Sequence, residues 1–285
     1  MLSKVCERVA SNQFVTYLTT KKRLTTKQNG SKKWHSTETS LLRTTDVFLK
    51  GIDNEKLTAC VLLDMSKAFD SVDHQTLLRK LQDVGASTTE LQWFSSYLTN
   101  RYQVVRIHST VSNPIPIEYG VPQGSILGPL LFSIYVNDLP EAPRNFSTEC
   151  YVDDTKLFVS FHSQDTQRIV EEMNEDLLSV RNWCFRNRLL LNPDKTKLIV
   201  FGSRQMTSKL HEFRLSLLGK DISPVQSAKD LGVSLDSNLT FDDHIKTTVS
   251  ECLAQISRVK HCLGRTSLLT MINALCCVYT SFLLR

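Results

Sequence analysis

The chain has 285 residues, of which 41% are apolar and 22% charged, with only ten glycines and eight prolines. This composition excludes collagen-like and low-complexity classes and is sufficient for a sizeable buried core in one or two domains. The first 50 residues carry ten lysines and arginines against three acidic residues, whereas the rest of the chain is close to neutral. A basic end suits an anionic partner such as nucleic acid or a membrane surface, and equally an ordinary solvated face.

The eight cysteines show neither a disulfide pattern nor a zinc pattern. No two form a C-x-x-C pair, and none is accompanied by paired histidines. The N-terminus lacks the apolar core of a secretion signal. The apolar stretch 268–284 contains four polar residues and is shorter than the ~20 residues of a membrane span, so we expect a buried helix there. The sequence therefore predicts an intracellular, reduced protein without a membrane partner, and it does not distinguish nucleus from cytoplasm.

The first half of the chain alternates helical and extended patterns. In chain order, we expect a helix in residues 1–20, a basic loop over 21–37, a helix from Ser36 to about Gly51, a buried strand over 59–64, helices over about 73–84 and 88–99, and a hairpin formed by 103–108 and 115–118.

The second half begins with a glycine-bounded loop. We expect that loop over 120–124, a helix capped by Ser125 and reaching about Asp138, strands over 149–152 and 155–161, an amphipathic helix over 166–187, a strand over 198–201, short strands from about 213 that include 230–235, and helices from about Phe241. Helices and strands in this order predict an α+β fold, with a small sheet flanked by helices and a helical C-terminal part.

Acidic residues lie at the predicted ends of strands. Asp64 follows the continuous apolar strand, and Asp153 and Asp154 lie at the turn of a predicted hairpin. Buried carboxylates are costly unless a cation compensates them, and hard divalent cations prefer carboxylate oxygens. Carboxylates on adjacent strands can hold two Mg²⁺ ions ~3.5–4 Å apart for phosphoryl transfer. Each signal alone is weak, since paired aspartates are common in turns and an aspartate after a strand often caps a helix.

Five ordered segments make the pattern specific. They are residues 61–74 (VLLDMSKAFDSVDH), 120–132 (GVPQGSILGPLLF), 151–154 (YVDD), 191–197 (LNPDKTK) and 231–241 with its Leu-Gly-Val start and Leu-Thr-Phe end. They resemble motifs A to E of non-LTR retrotransposon reverse transcriptases, and the style is closest to jockey-like mobile elements. Gln28-Asn29-Gly30 and the segment 35–38 (HSTE) resemble a fingers motif of the same family. The resemblance extends from about residue 5 to the end of the chain.

The resemblance implies a right-hand polymerase fold with partial fingers in 1–58, a palm in 59–212 that includes fingers-like elements near 75–120, and motif E with a partial helical thumb in 213–285. It implies an RNA-directed DNA polymerase that extends a DNA primer on an RNA template with deoxynucleoside triphosphates (dNTPs). Asp64, Asp153 and Asp154 would be catalytic and would hold two Mg²⁺ ions. The sequence leaves the template preference, host and oligomeric state open.

Further roles follow from the same resemblance. The backbone carbonyl of Met65 would face the second metal, and Phe69 would be the aromatic steric gate against a 2′-hydroxyl, although a core residue is the simpler interpretation. Gln123 and Gly124 would lie beside the incoming nucleotide. Lys195, or else Lys197, would donate a proton to the pyrophosphate. The residues expected to contact nucleic acid are Lys21, Lys22, Arg23, Lys32 and Lys33 in the basic segment and Leu231 and Gly232 in the primer grip. The apolar stripe at 245–256 would belong to a thumb helix along the duplex, or would simply face the core.

Two departures from the family pattern support a second hypothesis. The family's Gln-x-Gly-Phe-Arg is replaced here by Gln28-Asn29-Gly30-Ser31-Lys32, so an aromatic residue and an arginine are lost. We also expect the family's first fingers segment to lie before residue 1 and the thumb to be cut near residue 285. A catalytically inactive, nucleic-acid-binding remnant is therefore the alternative. An RNA-dependent RNA polymerase is disfavoured by Phe69 and by Tyr-Val-Asp-Asp in place of Gly-Asp-Asp.

Overall fold

The structure is a computed structural model that describes residues 2–30, 34–208, 210, 212–259 and 264–280. The helices are α1 Leu2–Thr20, α2 Thr37–Asp53, α3 His74–Asp83, α4 Thr88–Leu98, α5 Gly128–Tyr135, α6 Thr166–Arg186, α7 Arg204–Thr207, α8 Asp242–Val259 and α9 Arg265–Thr280. The strands are β1 Leu57–Leu63, β2 Met65–Ser66, β3 Tyr102–Gln103, β4 Arg106–Ile107, β5 Thr110–Val111, β6 Ile115–Pro116, β7 Ser147–Tyr151, β8 Asp154–Phe161, β9 Leu190–Leu191, β10 Lys197–Phe201, β11 Leu215–Leu217, β12 Lys220–Ile222, β13 Ser227–Asp230 and β14 Val233–Asp236. Within this described part, no helix is long and apolar enough to cross a membrane.

The central sheet has four antiparallel strands in the order β10-β1-β8-β7. Six of the seven β1 residues are buried, which explains why the sequence of this strand is a continuous apolar run. The register pairs Leu63 of β1 with Thr155 of β8, and Tyr151 of β7 with Asp154 of β8. The ends of β1 and of the β7–β8 hairpin therefore meet at one edge of the sheet.

Two apolar clusters cover the opposite faces of this sheet. Alternate residues of β1, among them Ala59 and Val61, pack into the larger cluster with residues from α3, α4, α5 and α6. Cys60 packs into the smaller cluster with Phe48 of α2 and Leu235 of β14. The alternation of side chains along a strand accounts for this division. Helix α6 contributes residues at helical spacing, as its periodicity predicts.

Short strands attach the region after α6 to the end of β1. Strand β2 pairs with β9, where Met65 lies opposite Leu191. The Asn192 amide donates to the Asp64 carbonyl oxygen (2.9 Å), and the Asp64 amide is 3.5 Å from the Thr196 hydroxyl. Segment 190–197 is thus bound directly to the backbone that carries Asp64.

The structure confirms most of the predicted elements and corrects several boundaries. Helix α5 begins at Gly128 and ends at Tyr135, although the Ser125 hydroxyl does accept a hydrogen bond from the Gly128 amide (2.9 Å). Asp154 is the first residue of β8, so the turn consists of Val152 and Asp153 alone. The predicted strand 230–235 is interrupted, because β13 and β14 form a hairpin around residues 231 and 232.

The C-terminal helices are more exposed than predicted. On α8, Ile245, Val249 and Leu253 are exposed, and only Cys252 of the apolar stripe is buried, so a core-facing stripe is wrong for these residues. On α9, Leu269 is 52% exposed, so the buried helix predicted over 268–284 is wrong at this residue. Residues 281–284 of that prediction lie outside the described part of the chain.

Candidate active site

The site lies where β1 ends beside the β7–β8 hairpin. Asp64 directly follows Leu63, whose partner on β8 is Thr155, so continuing the register by one residue brings Asp64 opposite Asp154. Asp153 occupies the turn between β7 and β8. The fold thus brings Asp64 close to the adjacent pair Asp153 and Asp154, which lie about 90 residues later in the sequence. The buried Asp176 carboxylate of α6 fixes the backbone of residues 144–146, which leads into β7. It accepts hydrogen bonds from the amides of Arg144, Asn145 and Phe146 (2.9–3.1 Å).

The turn between β7 and β8 has a strained backbone. Val152 has a φ of +58°, in the left-handed region that β-branched residues avoid. Such a conformation costs about 1–3 kcal/mol and persists where surrounding contacts enforce it. Two-residue hairpin turns commonly use positive φ but usually place Gly, Asn or Asp there, so a valine is an unusual residue at this position.

The carboxylates have the electrostatics of an incompletely compensated cluster. One oxygen of Asp64, Oδ2, is buried without a hydrogen-bond partner. Partial burial, followed by repulsion from Asp153, Asp230 and Asp64, raises the pKa of Asp154 to about 6 despite the nearby Lys156. A hard divalent cation would relieve both conditions, and its preferred ligands are carboxylate oxygens. The donor chemistry therefore fits Mg²⁺. Among the described residues, however, no three His, Cys, Asp or Glu side chains already converge on one metal position.

The loop 120–124 packs on the turn that follows β2. The Gly120 amide donates to the Val72 carbonyl oxygen (2.7 Å), and the Val121 amide donates to that of Phe69 (3.0 Å). The exposed Gln123 side chain donates through Nε2 to Asp70 Oδ1 (2.8 Å). An open cleft of about 930 Å³ lies between this loop, Asp70 and the base of the exposed ribbon formed by β3 to β6. Gly124 is exposed, with a φ of +74° and open space where a Cβ would lie.

Phe69 is half-buried at the start of a short 3₁₀ turn. Its ring stacks on that of Phe132 in α5, with centroids 4.6 Å apart and an interplanar angle of 18°. The residue therefore packs against the core and keeps part of its surface accessible next to Asp70.

The predicted basic residues lie at the surface. Lys195 is exposed in the turn before β10, and Lys197 is an exposed residue at the start of β10, opposite Leu62. Lys21, Lys22 and Arg23 are exposed directly after α1. Lys32 and Lys33 lie outside the described residues.

The β13–β14 hairpin is fastened to the sheet by a buried ion pair. Leu231 and Gly232 form its turn, both with positive φ (+45° and +93°), and Gly232 tolerates this conformation without strain. The adjacent Asp230 accepts from Lys156 Nζ of β8 at 2.5 Å, and the two side chains are 5% and 3% exposed. Leu231 and Gly232, which were predicted to form the primer grip, therefore follow a residue that is anchored to Lys156, two residues after Asp154 in β8.

Sequence reasoning did not identify two residues that support the site. Lys156 was detectable in principle, since it directly precedes the apolar run 157–159 of a predicted strand, and a lysine is seldom buried without an acidic partner. Glu7 of α1 carried no local signal. Its carboxylate is buried and accepts hydrogen bonds from the Ile126 amide (2.7 Å) and the Leu127 amide (3.4 Å), directly before α5.

Comparison with solved structures identifies the fold. The chain resembles apo telomerase from Candida tropicalis truncated from its C-terminal domain, with a TM-score of 0.53, 12% identity and coverage of 84% of this chain and 45% of that one. A second apo telomerase structure from that organism gives a TM-score of 0.52 at 13% identity, covering 84% of this chain and 40% of that one. At these identities the likeness establishes the fold alone: helices around an antiparallel sheet of the polymerase type.

The sequence comparisons identify the family. A family model described as reverse transcriptase (RNA-dependent DNA polymerase) matches residues 1–235. The chain is 32% identical to the probable RNA-directed DNA polymerase from transposon BS of Drosophila melanogaster, over 95% of this chain and 30% of the relative. It is 27% identical to the RNA-directed DNA polymerase from mobile element jockey of the same organism, over 90% of this chain and 28% of the relative. The chain belongs to the reverse transcriptase family and spans about 30% of the length of these relatives.

Proposed function

We propose that this chain is the polymerase domain of a non-LTR retrotransposon and transfers dNTPs onto a primer 3′-hydroxyl under the direction of an RNA template. The observation that carries the proposal is the meeting of Asp64, Asp153 and Asp154 at one sheet edge, within a chain of the reverse transcriptase family. Each step forms a bond from the primer oxygen to the α-phosphorus and releases pyrophosphate.

The three carboxylates would hold two Mg²⁺ ions, which supply Lewis-acid activation of the nucleophile and neutralise charge on the phosphates. Asp64 is suited to this role because its Oδ2 has no hydrogen-bond partner in the protein. Asp153 and Asp154 present adjacent carboxylates from the turn and from β8. The Met65 carbonyl would face the second of these ions, and exposed Lys195, or else Lys197, would protonate the leaving pyrophosphate.

The nucleotide would enter the cleft beside the loop 120–124. Gln123 borders this space and would lie beside the nucleotide together with the next residue, Gly124, and the hydrogen bond from Gln123 to Asp70 holds the Gln123 amide in place. Phe69, which precedes Asp70, would exclude a 2′-hydroxyl with its accessible ring edge, while the stack on Phe132 keeps the ring from turning away.

The primer–template duplex would contact the basic residues after α1 and the turn of the β13–β14 hairpin. Exposed Lys21, Lys22 and Arg23 would contact phosphates, together with Lys32 and Lys33, and Leu231 and Gly232 would contact the primer. Phosphate contacts give an affinity that depends on salt but not on sequence.

Primer extension on poly(rA)–oligo(dT) with Mg²⁺ tests the proposal directly. Incorporation of dTMP by the purified chain is the expected result. A folded protein that binds the duplex at low salt, yet incorporates nothing, would instead identify the inactive nucleic-acid-binding remnant. Absence of both binding and incorporation would contradict both functions.

Replacing Phe69 by Ala tests the assignment of the steric gate. We expect the preference for dTTP over UTP to fall by about 10- to 100-fold, because removal of the ring opens space for the 2′-hydroxyl. The measurement is the ratio of kcat/KM values for the two nucleotides on the same primer–template. Phe94→Ala, which removes a buried ring in α4, is the matched control and should leave that ratio unchanged. A ratio unaffected by Phe69→Ala would assign Phe69 to the core alone.

A further inference from the structure

The segment 27–30 lies against the end of β7, to which it is joined by a single bridge between residues. Gln28 forms a parallel bridge with Cys150 of β7. The Cys150 amide donates to the Lys27 carbonyl oxygen (2.9 Å), and the Asn29 amide donates to the Cys150 carbonyl oxygen (2.8 Å). The backbone of 27–29 is thereby fixed in register with the strand that leads into the Asp153 turn.

The Gln28 side chain forms hydrogen bonds with the backbone of Val152, the residue with positive φ in the turn between β7 and β8. Its Oε1 accepts from the Val152 amide (2.8 Å), and its Nε2 donates to the Val152 carbonyl oxygen (3.1 Å). The same Oε1 also accepts from the Gly30 amide (2.8 Å). Gln28 is only 2% exposed, so these bonds form away from bulk water. One buried amide therefore satisfies both backbone polar groups of Val152.

The glycine two residues later is required by the same contact. A Cβ at Gly30 would lie 2.4 Å from Val152 Cγ2 and 2.5 Å from the Val152 amide nitrogen. The spacing Gln-x-Gly thus has a physical explanation: glutamine binds the Val152 backbone, and glycine allows the chain to pass over that residue.

We propose that Gln28 is a positioning residue that holds Val152 in its left-handed conformation and so fixes the direction in which Asp153 and Asp154 present their carboxylates. The expected effect on kcat rests on the proposed polymerase function. The clamp, by which we mean the two hydrogen bonds between the Gln28 side chain and the Val152 backbone, rests on the structure alone. Gln28 contacts neither carboxylate in the hydrogen bonds described, and it acts through the turn. A glutamine is suited to this role because its amide both donates and accepts.

The test replaces Gln28 by Met, which keeps the length of the side chain and removes both hydrogen-bonding groups. We expect kcat for dTMP incorporation to fall about 100-fold, as a misplaced catalytic group does, with KM for dTTP and duplex affinity within about threefold of the original chain. We also expect the Val152 amide to lose protection in hydrogen–deuterium exchange, since Gln28 Oε1 is its acceptor. Gln82→Met, on the exposed face of α3, is the matched control and should change neither.

A second substitution separates positioning from a general loss of structure. Val152→Gly removes the cost of positive φ at residue 152. The double variant Gln28→Met/Val152→Gly should therefore have a kcat at least tenfold higher than that of Gln28→Met. A Gln28→Met protein with unchanged kcat and unchanged Val152 protection would overturn the proposal, as would a double variant no better than Gln28→Met. If the original chain incorporates nothing, the polymerase function fails, and the exchange measurement alone decides the clamp: lost protection supports it and retained protection refutes it.

Discussion

Asp153→Asn should abolish nearly all primer extension while leaving the fold and duplex binding intact. The substitution keeps the shape of the side chain and removes one negative charge from the pair that would hold Mg²⁺. Loss of a metal ligand of this kind costs several kcal/mol of transition-state stabilisation, so about a 1000-fold decrease in kcat is expected. The readout is dTMP incorporation on poly(rA)–oligo(dT), with Tm and duplex affinity measured in parallel.

The control for this variant is Asp53→Asn, at the exposed C-terminal end of α2. It makes the same chemical change far from β7 and β8 in the sequence and should leave incorporation unchanged. Incorporation by Asp153→Asn at the rate of the original chain would remove the Asp pair from the mechanism and with it the proposed two-metal chemistry.

Lys156→Met should lower the free energy of unfolding by about 3–5 kcal/mol. Lys156 is 3% exposed and pairs with Asp230, which would be left as an uncompensated buried carboxylate. Glu149, the cross-strand neighbour of Lys156, would keep only Arg43 as its partner, at 3.1 Å. The measurement is urea unfolding, compared with Lys50→Met, which breaks the exposed pair with Asp46 and should cost less than about 1 kcal/mol.

The double variant Lys156→Met/Asp230→Leu provides the decisive comparison. Replacing both charges by apolar side chains should recover most of the loss, since a buried pair contributes less than the penalty of leaving one partner unpaired. A double variant as unstable as Lys156→Met would show that the apolar side chains do not fit the site.

The instability of Lys156→Met should also depend on pH. Burial raises the pKa of Glu149 even with Arg43 and Lys156 nearby, and removal of Lys156 should raise it further. A carboxyl group whose pKa is raised on folding destabilises the fold where it must ionise and does so less as pH falls. The deficit of Lys156→Met relative to the original chain should therefore be smaller at pH 5 than at pH 8. An equal deficit at both pH values would contradict this account of Glu149.

Local patterns in the sequence are sufficient to predict the main helices and strands. The apolar run of β1 and the helical spacing of Ile169, Met173 and Leu177 in α6 each reflect burial along one chain segment, so they are readable without partners. The interrupted strand at 230–235 was missed because Leu231, Val233 and Leu235 continue the alternation of a strand through the turn. Gly232 was the contrary signal.

The meeting of the three aspartates was predicted through the resemblance to known motifs, and the register of β1 with β8 supplies its geometry. The contacts that support these residues were beyond sequence reasoning. Gln28 and Val152 are 124 residues apart, and Ile126 and Glu7 are 119 apart. Such contacts depend on how distant segments pack, whereas periodicity reports only which side of one segment is buried.

The order of strands in the central sheet has a consequence for biosynthesis. Strand β1 is central, and its neighbours β8 and β10 begin at residues 154 and 197. An apolar strand of seven residues therefore leaves the ribosome long before either of its hydrogen-bonding edges can be paired. Unpaired apolar edges are templates for association between chains. Production of this protein in soluble form should accordingly depend on chaperones that shield residues 57–63 until β8 and β10 have emerged.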